Sequence, residues 1–166
     1  PDHWDDIARQ AIRKDIPFFV QHEKDAQAIR STGFSDVRIL DENTGFAGIT
    51  LIKTSGQHGR PKVLEDMKAL LGEVSGVVFK HPDEKTFYIA GDTVWCQAVE
   101  DNLKKYHPDI VVLNSCDAQV IGNESIIMGK QDIYEVYKAA PEATVIASHM
   151  EAVNHATLTI KELLGF

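Results

Sequence analysis

The sequence predicts an α/β (α+β) fold in which helices cover the faces of a sheet. Helical and extended patterns alternate along its 166 residues. IVVL (110–113) and TVIA (144–147) are continuous apolar runs, which are typical of strands buried on both faces. GVVFKH (76–81) and TFYIAGD (86–92) flank the turn PDEK and predict a β-hairpin. The length suits a single domain, 1–166, with one hydrophobic core.

The first forty residues predict two helices that alternate with two short strands. Residues 3–14 carry apolar side chains at helical spacing, and Pro17 ends that pattern. FFV (18–20) predicts a strand, QHEKDAQAIRSTG (21–33) a helix with a glycine at its end, and VRIL (37–40) a second strand. The connections are a few residues long.

The middle of the chain predicts a strand, a polar loop and one undecided segment. FAGITLIKT (46–54) is apolar and β-branched, and the turn-rich loop SGQHGRP (55–61) follows it. VLEDMKALLG (63–72) fits either a short helix or an extended excursion. Its pattern leaves both alternatives open.

Three helices are predicted in the second half. VWCQAVEDNLKKYH (94–107) is amphipathic, QDIYEVYKAAP (131–141) ends at a proline, and TLTIKELLGF (157–166) closes the chain. Thr159 and Glu162 have the spacing of a capping box. These helices separate the two buried strands from each other and from the hairpin.

Charge and cysteine content limit the classes of partner. The net charge of −8 repels phosphate backbones, so nucleic acid is not an expected partner. No apolar run approaches the length of a membrane span, and no cleavable signal is visible, so we expect a cytoplasmic protein that does not bind membranes. Cys96 and Cys116 lie outside any CxxC motif. They are expected to be free thiols, with a single disulfide as the alternative.

Polar clusters occur where predicted strands end or helices begin. They are Asp2–His3, Gln57–His58–Gly59, Gly91–Asp92–Thr93 and Ser148–His149. Side chains at strand ends converge on a cleft in layered α/β proteins. Three imidazoles and two carboxylates would form a site for Zn²⁺, Mn²⁺ or Fe²⁺.

Each cluster taken alone also has a structural explanation. A single histidine at a strand end often has only structural hydrogen bonds. Asp92 could cap a helix that begins at residue 93 or 94, and Asp2–His3 could be a frayed terminus. His22, His81 and His107 lack the strand-end context and are expected at the surface.

The order and spacing of these clusters resemble the metallo-β-lactamase superfamily of metal-dependent hydrolases. The family's motif His-x-His-x-Asp-His is matched in its second half by Asp2 and His3. The later ligands are matched by His58 in SGQHGR, Asp92 in YIAGDTVW and His149 in VIASHMEAVNH. The resemblance covers the whole chain. Within the superfamily the chain looks most like small bacterial proteins of uncertain substrate, and it is distantly similar to ascorbate-6-phosphate lactonase-like members.

The resemblance implies an αβ/βα four-layer sandwich that lacks its N-terminal strands, and a chain truncated inside the first motif. In the family, one metal is held by two histidines that would precede residue 1, together with the equivalent of His58. The second is held by the equivalents of Asp2, His3 and His149, and that of Asp92 bridges the two. We therefore expect two ions in a complete family member, with Zn²⁺ before Mn²⁺ or Fe²⁺, and one or none here.

The implied activity is hydrolysis of an ester, lactone or phosphoester of a small molecule by a metal-activated water. Asp2 and His155 are the candidate catalytic residues. A non-catalytic binding module with a degenerate metal site is the main alternative, and a nuclease is a weaker one. Removal of strands would also leave an apolar face exposed, so a homodimer is expected.

Further polar residues are expected near the same cleft. His155 could position substrate, donate a proton or replace a ligand; a capping role is the alternative. Asp117 could hydrogen-bond a ligand histidine or cap a loop, and Cys116 is a weaker metal-ligand candidate. Arg60 could contact an anionic substrate group or lie in solvent, and Asn114 follows the strand IVVL.

Overall fold

The computed structural model describes residues 3–120 and 124–166. The helices are α1 (Asp6–Ala11), α2 (Glu23–Arg30), α3 (Pro61–Leu71), α4 (Gln97–Tyr106), α5 (Lys130–Ala139) and α6 (Ile160–Leu164). The strands are β1 (Phe18–Val20), β2 (Val37–Ile39), β3 (Thr44–Phe46), β4 (Ile49–Ser55), β5 (Ser75–Lys80), β6 (Phe87–Ile89), β7 (Ile110–Asn114) and β8 (Thr144–Ser148). The α/β (α+β) class is confirmed.

The strands form one large mixed sheet and one small parallel sheet. The large sheet has the order β3-β4-β5-β6-β7-β8, and β1 pairs with β2. Pairing is antiparallel from β3 through β6 and parallel from β6 through β8. Two successive antiparallel pairings make β4 run in the same direction as β6. As a result, β4, β6, β7 and β8 all end at the same edge of the sheet.

The main core lies between one face of the large sheet and helices α4 and α5. Its fully or nearly fully buried members include Tyr88, Val111 and Leu113 from the sheet, with Leu103 and Val136 from the two helices. A second cluster packs α2 under β1 and β2. A third joins α3 to the loops after β7 and β8, and it lies under the edge where the four strands end.

The structure resolves the segment that the sequence left undecided. Residues 61–71 are helical as α3, and Val63 is fully buried on its inner side. The predicted strand 46–54 is confirmed over 49–54 as part of β4, whereas Phe46 ends β3, because Ala47 and Gly48 adopt positive φ angles and turn the chain back. The hairpin of β5 and β6 and the capping box of Thr159 with Glu162 are confirmed.

The expectation that TVIA is buried on both faces is wrong. Strand β8 is the last strand of the sheet, and its side chains alternate between exposed and half-buried. Ile146 is 43% exposed. In β7, Val111 and Leu113 are fully buried against α4 and α5, whereas Ile110 and Val112 on the other face are half-buried, so IVVL is fully buried on one face only.

Two further expectations concern cysteines and membranes. Cys96 and Cys116 are free thiols, as predicted. Over the ranges that the structure describes, no helix combines the length and apolar character that crossing a bilayer requires.

Candidate metal centre

The sheet topology explains why distant polar residues meet. His58 follows β4, Asp92 follows β6, Asn114 ends β7 and His149 follows β8. Because these four strands run in the same direction, their carboxyl ends lie side by side at one end of the sheet. The third apolar cluster includes residues from the loops that follow two of these strands, such as Cys116 after β7 and Met150 after β8.

Three of the predicted ligands form a compact group, which we call the donor trio: His3, Asp92 and His149. Each offers one ligand atom, and these atoms all lie within 4.8 Å of one another. The His3 Nε2 is 2.8 Å from the Asp92 Oδ2, and the His3 and His149 ring centroids are 4.8 Å apart. The side chain of His3 is 48% exposed and that of Asp92 is 19% exposed. The trio therefore opens to solvent on the His3 side.

Asp92 is oriented by a neighbouring strand. The Asn114 Nδ2 donates to the Asp92 Oδ1 at 2.8 Å, which leaves Oδ2 directed at His3. Asp92 does not cap a helix, because α4 begins at Gln97 and its N-cap residue is Cys96. The capping alternative for Asp92 is therefore wrong. A carboxylate held through one oxygen presents the other to a ligand in a fixed direction.

His58 is held by the main chain of helix α3. Its Nδ1 lies 3.2 Å from the carbonyl oxygen of Leu71, a contact that suits an Nδ1–H tautomer and leaves Nε2 available. Gly59 has a φ of +115°, and a Cβ there would come within 3.3 Å of Val63. The glycine after His58 thus allows a sharp backbone path at this position. His58 lies near the donor trio but outside it.

His149 adopts an unusual backbone conformation. Its φ is +62°, in the left-handed region that non-glycine residues rarely occupy. Its Nδ1 is 3.5 Å from the Sγ of Cys116, which is fully buried. Burial raises the pKa of the Cys116 thiol, so this sulfur is a neutral neighbour of the imidazole at pH 7.

A cavity of about 250 Å³ lies beside these residues. Its polar wall consists of His58, Asp92, His149 and His155, and its apolar wall of Leu70, Leu71, Ala118, Ile126 and Ile127. Among the described residues that line it, none is lysine or arginine. The cavity therefore suits a small molecule with an apolar part.

The other candidates have distinct places. His155 lines the cavity, and its Nδ1 is 3.3 Å from the Asn154 Oδ1. Asp117 caps a loop, because Ser125, Thr157 and Gln119 donate to its carboxylate. Among the described residues it bonds no candidate ligand. The loop-cap alternative for Asp117 is therefore the one observed.

Arg60 forms an ion pair with Asp132 that the sequence analysis did not predict. Its Nη2 donates to both carboxylate oxygens of Asp132, at 2.8 and 2.7 Å, and the Asp132 side chain is 4% exposed. The two expectations for Arg60, a substrate contact or solvent, are both replaced by this ion pair. Asp132 lies in the first turn of α5 and was not identified from the sequence.

Two remaining expectations concern residues away from the trio. Asp2, expected as a ligand and as a catalytic residue, lies outside the described residues. His22 and His107 are exposed and His81 is half-buried. His22 caps α2, and His81 accepts a hydrogen bond from the backbone of Asp83.

The donor chemistry of the trio fits a divalent transition metal. Imidazole nitrogen and carboxylate oxygen are ligands that Zn²⁺, Mn²⁺ and Fe²⁺ share. The close spacing of the three donor atoms and the fixed orientation of Asp92 are what a mononuclear site with open positions requires. His3, Asp92 and His149 are the residues that would hold such an ion.

Comparison with known sequences supplies one curated relative. No family model matches the chain. The UPF0173 protein YddR of Bacillus subtilis (strain 168) is 51% identical over 165 residues, which is 99% of this chain and 64% of YddR. The chain thus spans somewhat less than two thirds of the length of this relative.

Solved structures give the fold. The isothiocyanate hydrolase from Delia radicum gut bacteria has a TM-score of 0.93 and 47% identity, over 99% of this chain and 64% of that one. A possible metal-dependent hydrolase from Veillonella parvula DSM 2008 has a TM-score of 0.95 and 43% identity, over 98% and 63%. The metallo-β-lactamase fold protein YhfI from Bacillus subtilis has a TM-score of 0.62 at 10% identity, over 96% and 61%. The chain therefore has the metallo-β-lactamase fold.

Proposed function

We propose that the chain carries the metal centre of a hydrolase that acts on a small, uncharged molecule with an electrophilic carbon. The observation that carries this proposal is the donor trio, two of whose members, Asp92 and His149, line a mostly apolar cavity. Structures similar to the chain at 43% and 47% identity are named as a possible metal-dependent hydrolase and an isothiocyanate hydrolase. Both names support hydrolysis as the class of reaction.

The cavity wall favours some of the expected substrates over others. Phosphoesters and nucleic acids are anions that proteins bind with lysine or arginine. The described residues that line the cavity include neither, and the chain has a net charge of −8. Esters, lactones and isothiocyanates are uncharged, and their apolar substituents would pack against Leu70, Leu71 and Ile126. We place these three ahead of the phosphoester.

The residues of the cavity have separable roles in this proposal. A bound divalent cation, with Zn²⁺ expected before Mn²⁺ or Fe²⁺, supplies Lewis-acid chemistry by making water more acidic and polarising the substrate. His3, Asp92 and His149 hold the ion, and Asn114 fixes the direction of Asp92. His155 lines the same cavity and would serve as the proton donor to the leaving oxygen or nitrogen.

For an isothiocyanate the proton balance is simple. The oxygen of water bonds to the central carbon of R–N=C=S, one proton goes to nitrogen and the other to sulfur, which gives R–NH–C(=O)–SH. Transfer of the sulfur-bound proton to nitrogen then breaks the C–N bond and releases the amine R–NH2 and carbonyl sulfide. His155 is placed to deliver the proton to nitrogen. The same imidazole would protonate the leaving alkoxide oxygen of an ester or lactone.

The test measures metal-dependent hydrolysis directly. The purified chain is stripped with chelator, reloaded with Zn²⁺, Mn²⁺ or Fe²⁺, and assayed on an aryl isothiocyanate, an aryl ester and a lactone. Hydrolysis should vanish with chelator, return with metal, and be lost in Asp92→Asn. Asp101→Asn, an exposed carboxylate on α4, is the matched control and should remain active.

Two outcomes would count against the proposal. Hydrolysis that persists after chelation would show that the reaction does not require a metal. Tight metal binding without turnover of any of the three substrates would favour the alternative, a binding module that keeps the ligands without the chemistry.

A further inference from the structure

The carboxylate of Asp132 joins three segments that are far apart in the sequence. Its Oδ1 accepts from the Arg60 guanidinium at 2.8 Å and from the backbone N–H of Trp95 at 3.1 Å. Its Oδ2 accepts from the same guanidinium at 2.7 Å and from the backbone N–H of Gly129 at 3.0 Å. We call this arrangement the Asp132 brace.

Only one of these hydrogen bonds, the one from Gly129, stabilises helix α5 itself. The bond from Gly129 caps the start of α5, because Gly129 is the N-cap residue and Asp132 lies three residues later in the first turn. The bonds from Arg60 and Trp95 do nothing for that helix. They tie α5 to the loop after β4 and to the loop after β6, and these loops carry His58 and Asp92.

The two loops are also bonded to each other. The backbone N–H of Gln57 donates to the Thr93 Oγ1, and the N–H of Val94 donates to the Gln57 carbonyl, each at 2.9 Å. The N–H of Arg60 donates to the Ser125 carbonyl at 3.1 Å. Each end of the His58 loop is therefore fixed to a different neighbour.

Burial makes the brace rigid. The Asp132 side chain is 4% exposed, so its charge has little water to replace a lost partner. Removing Arg60 would leave a buried carboxylate with backbone donors only, and the loops would have to move to hydrate it. A movement of either loop changes where His58 lies relative to Asp92.

From these contacts we infer that Arg60 and Asp132 are positioning residues that fix the loop of Asp92 against the loop of His58 for metal binding. The inference rests on the proposed function, because it gives the brace a role in the proposed metal centre. Neither residue touches the substrate or the ion. Both act through the backbone of the loops that carry the candidate ligands.

The experiment measures Co²⁺ affinity by competition with a chromophoric chelator, and the Co²⁺ absorption spectrum, in the full chain. Arg60→Met and Asp132→Asn should each weaken binding by about 10- to 100-fold, the range typical of lost outer partners at metal sites. Both should also alter the spectrum. Arg60→Lys keeps the charge but not the planar guanidinium, and should give an intermediate loss.

Two controls separate positioning from general stability. Val136→Ala truncates a fully buried side chain of the same helix, so it lowers stability away from the loops. Arg38→Met breaks an exposed pair with Asp36, and neither residue belongs to the donor trio or lines the cavity. Both controls should bind Co²⁺ with the affinity and spectrum of the unaltered chain, although Val136→Ala unfolds at a lower temperature.

The outcomes separate the inference from the function on which it rests. If the unaltered chain binds no Co²⁺, the proposed function fails and the inference fails with it. If the unaltered chain binds Co²⁺ and the brace variants bind it equally well, only the inference is overturned. Equal weakening by Val136→Ala would also overturn it. If Arg60→Met does not fold, the Co²⁺ affinity of Arg60→Lys is the test, and an affinity equal to that of the unaltered chain overturns the inference.

Discussion

The two sides of the candidate centre are held in contrasting ways. His58 and Asp92, which we call the braced side, lie on loops bonded to each other and to the buried Asp132. His3 and His149, the open side, have fewer restraints: His3 is half-exposed, and His149 has the Cys116 sulfur as a neighbour. The protein thus preorganises one side of the centre. A bound ion would have to order the other.

The largest expected effect comes from Asp92, which belongs to both the braced side and the donor trio. Asp92→Asn removes the only negative charge of the trio and keeps the size of the side chain. Metal affinity should fall by more than the about 10- to 100-fold that loss of an outer partner costs. Calorimetric titration with Zn²⁺ measures this, and near-normal affinity would contradict the trio.

The next effect separates the two histidines that follow strands. His149→Ala should weaken metal binding nearly as much as Asp92→Asn, because it removes a donor from the trio. His58→Ala should weaken binding less, because His58 lies beside the trio. Metal content after dialysis, determined by elemental analysis, ranks the two variants. If His58→Ala instead lost more metal than His149→Ala, the ion would have to bind closer to His58 than the trio predicts.

A smaller effect is expected from the partner that orients Asp92. Asn114→Ala removes the donor to the Asp92 Oδ1 and should lower metal affinity by about tenfold. Asn102→Ala is the matched control, because Asn102 bonds the Ser55 carbonyl and the Tyr88 hydroxyl away from the trio. The same titration should give unchanged affinity for the control. Equal losses in the two variants would indicate general destabilisation.

The smallest effect concerns the thiol next to the open side. Cys116 is fully buried, and burial raises the pKa of its thiol, so it stays protonated to a higher pH than an ordinary cysteine. Iodoacetamide should therefore modify the half-buried Cys96 first across pH 7–9, as peptide mapping by mass spectrometry would detect. Added Zn²⁺ should slow modification of Cys116 further. Faster modification of Cys116 would mean that the open side unfolds locally.

The fold class and the convergence of Asp92 and His149 could be predicted, because both depend on local pattern. Strand ends carry an apolar run followed by polar residues, and Asp92 and His149 stand at such boundaries. The sequence could not show that β8 lies at the edge of the sheet, since an apolar run has the same pattern in a central strand and in an edge strand. Ile146 was misjudged for that reason.

The Asp132 brace was beyond the reach of pattern analysis. Asp132 pairs with Arg60 at a separation of 72 residues and with Trp95 at 37. An acidic residue in the first turn of a helix is already explained by the helix dipole, so nothing local marks it as unusual. Its role depends on contacts among helix α5, the loop after β4 and the loop after β6, which only the tertiary structure reveals. The same holds for Asn114, whose partner Asp92 is 22 residues away.

The backbone at His149 has a consequence for attempts to improve the protein. A left-handed conformation disfavours a side chain with a Cβ by roughly 1–2 kcal/mol, and glycine avoids that penalty. A search guided by thermostability alone would therefore select glycine at this position. The more robust protein obtained in that way would lack a donor of the trio. Strain at a single residue would thus set stability against function, a trade-off that thermostability screens do not detect.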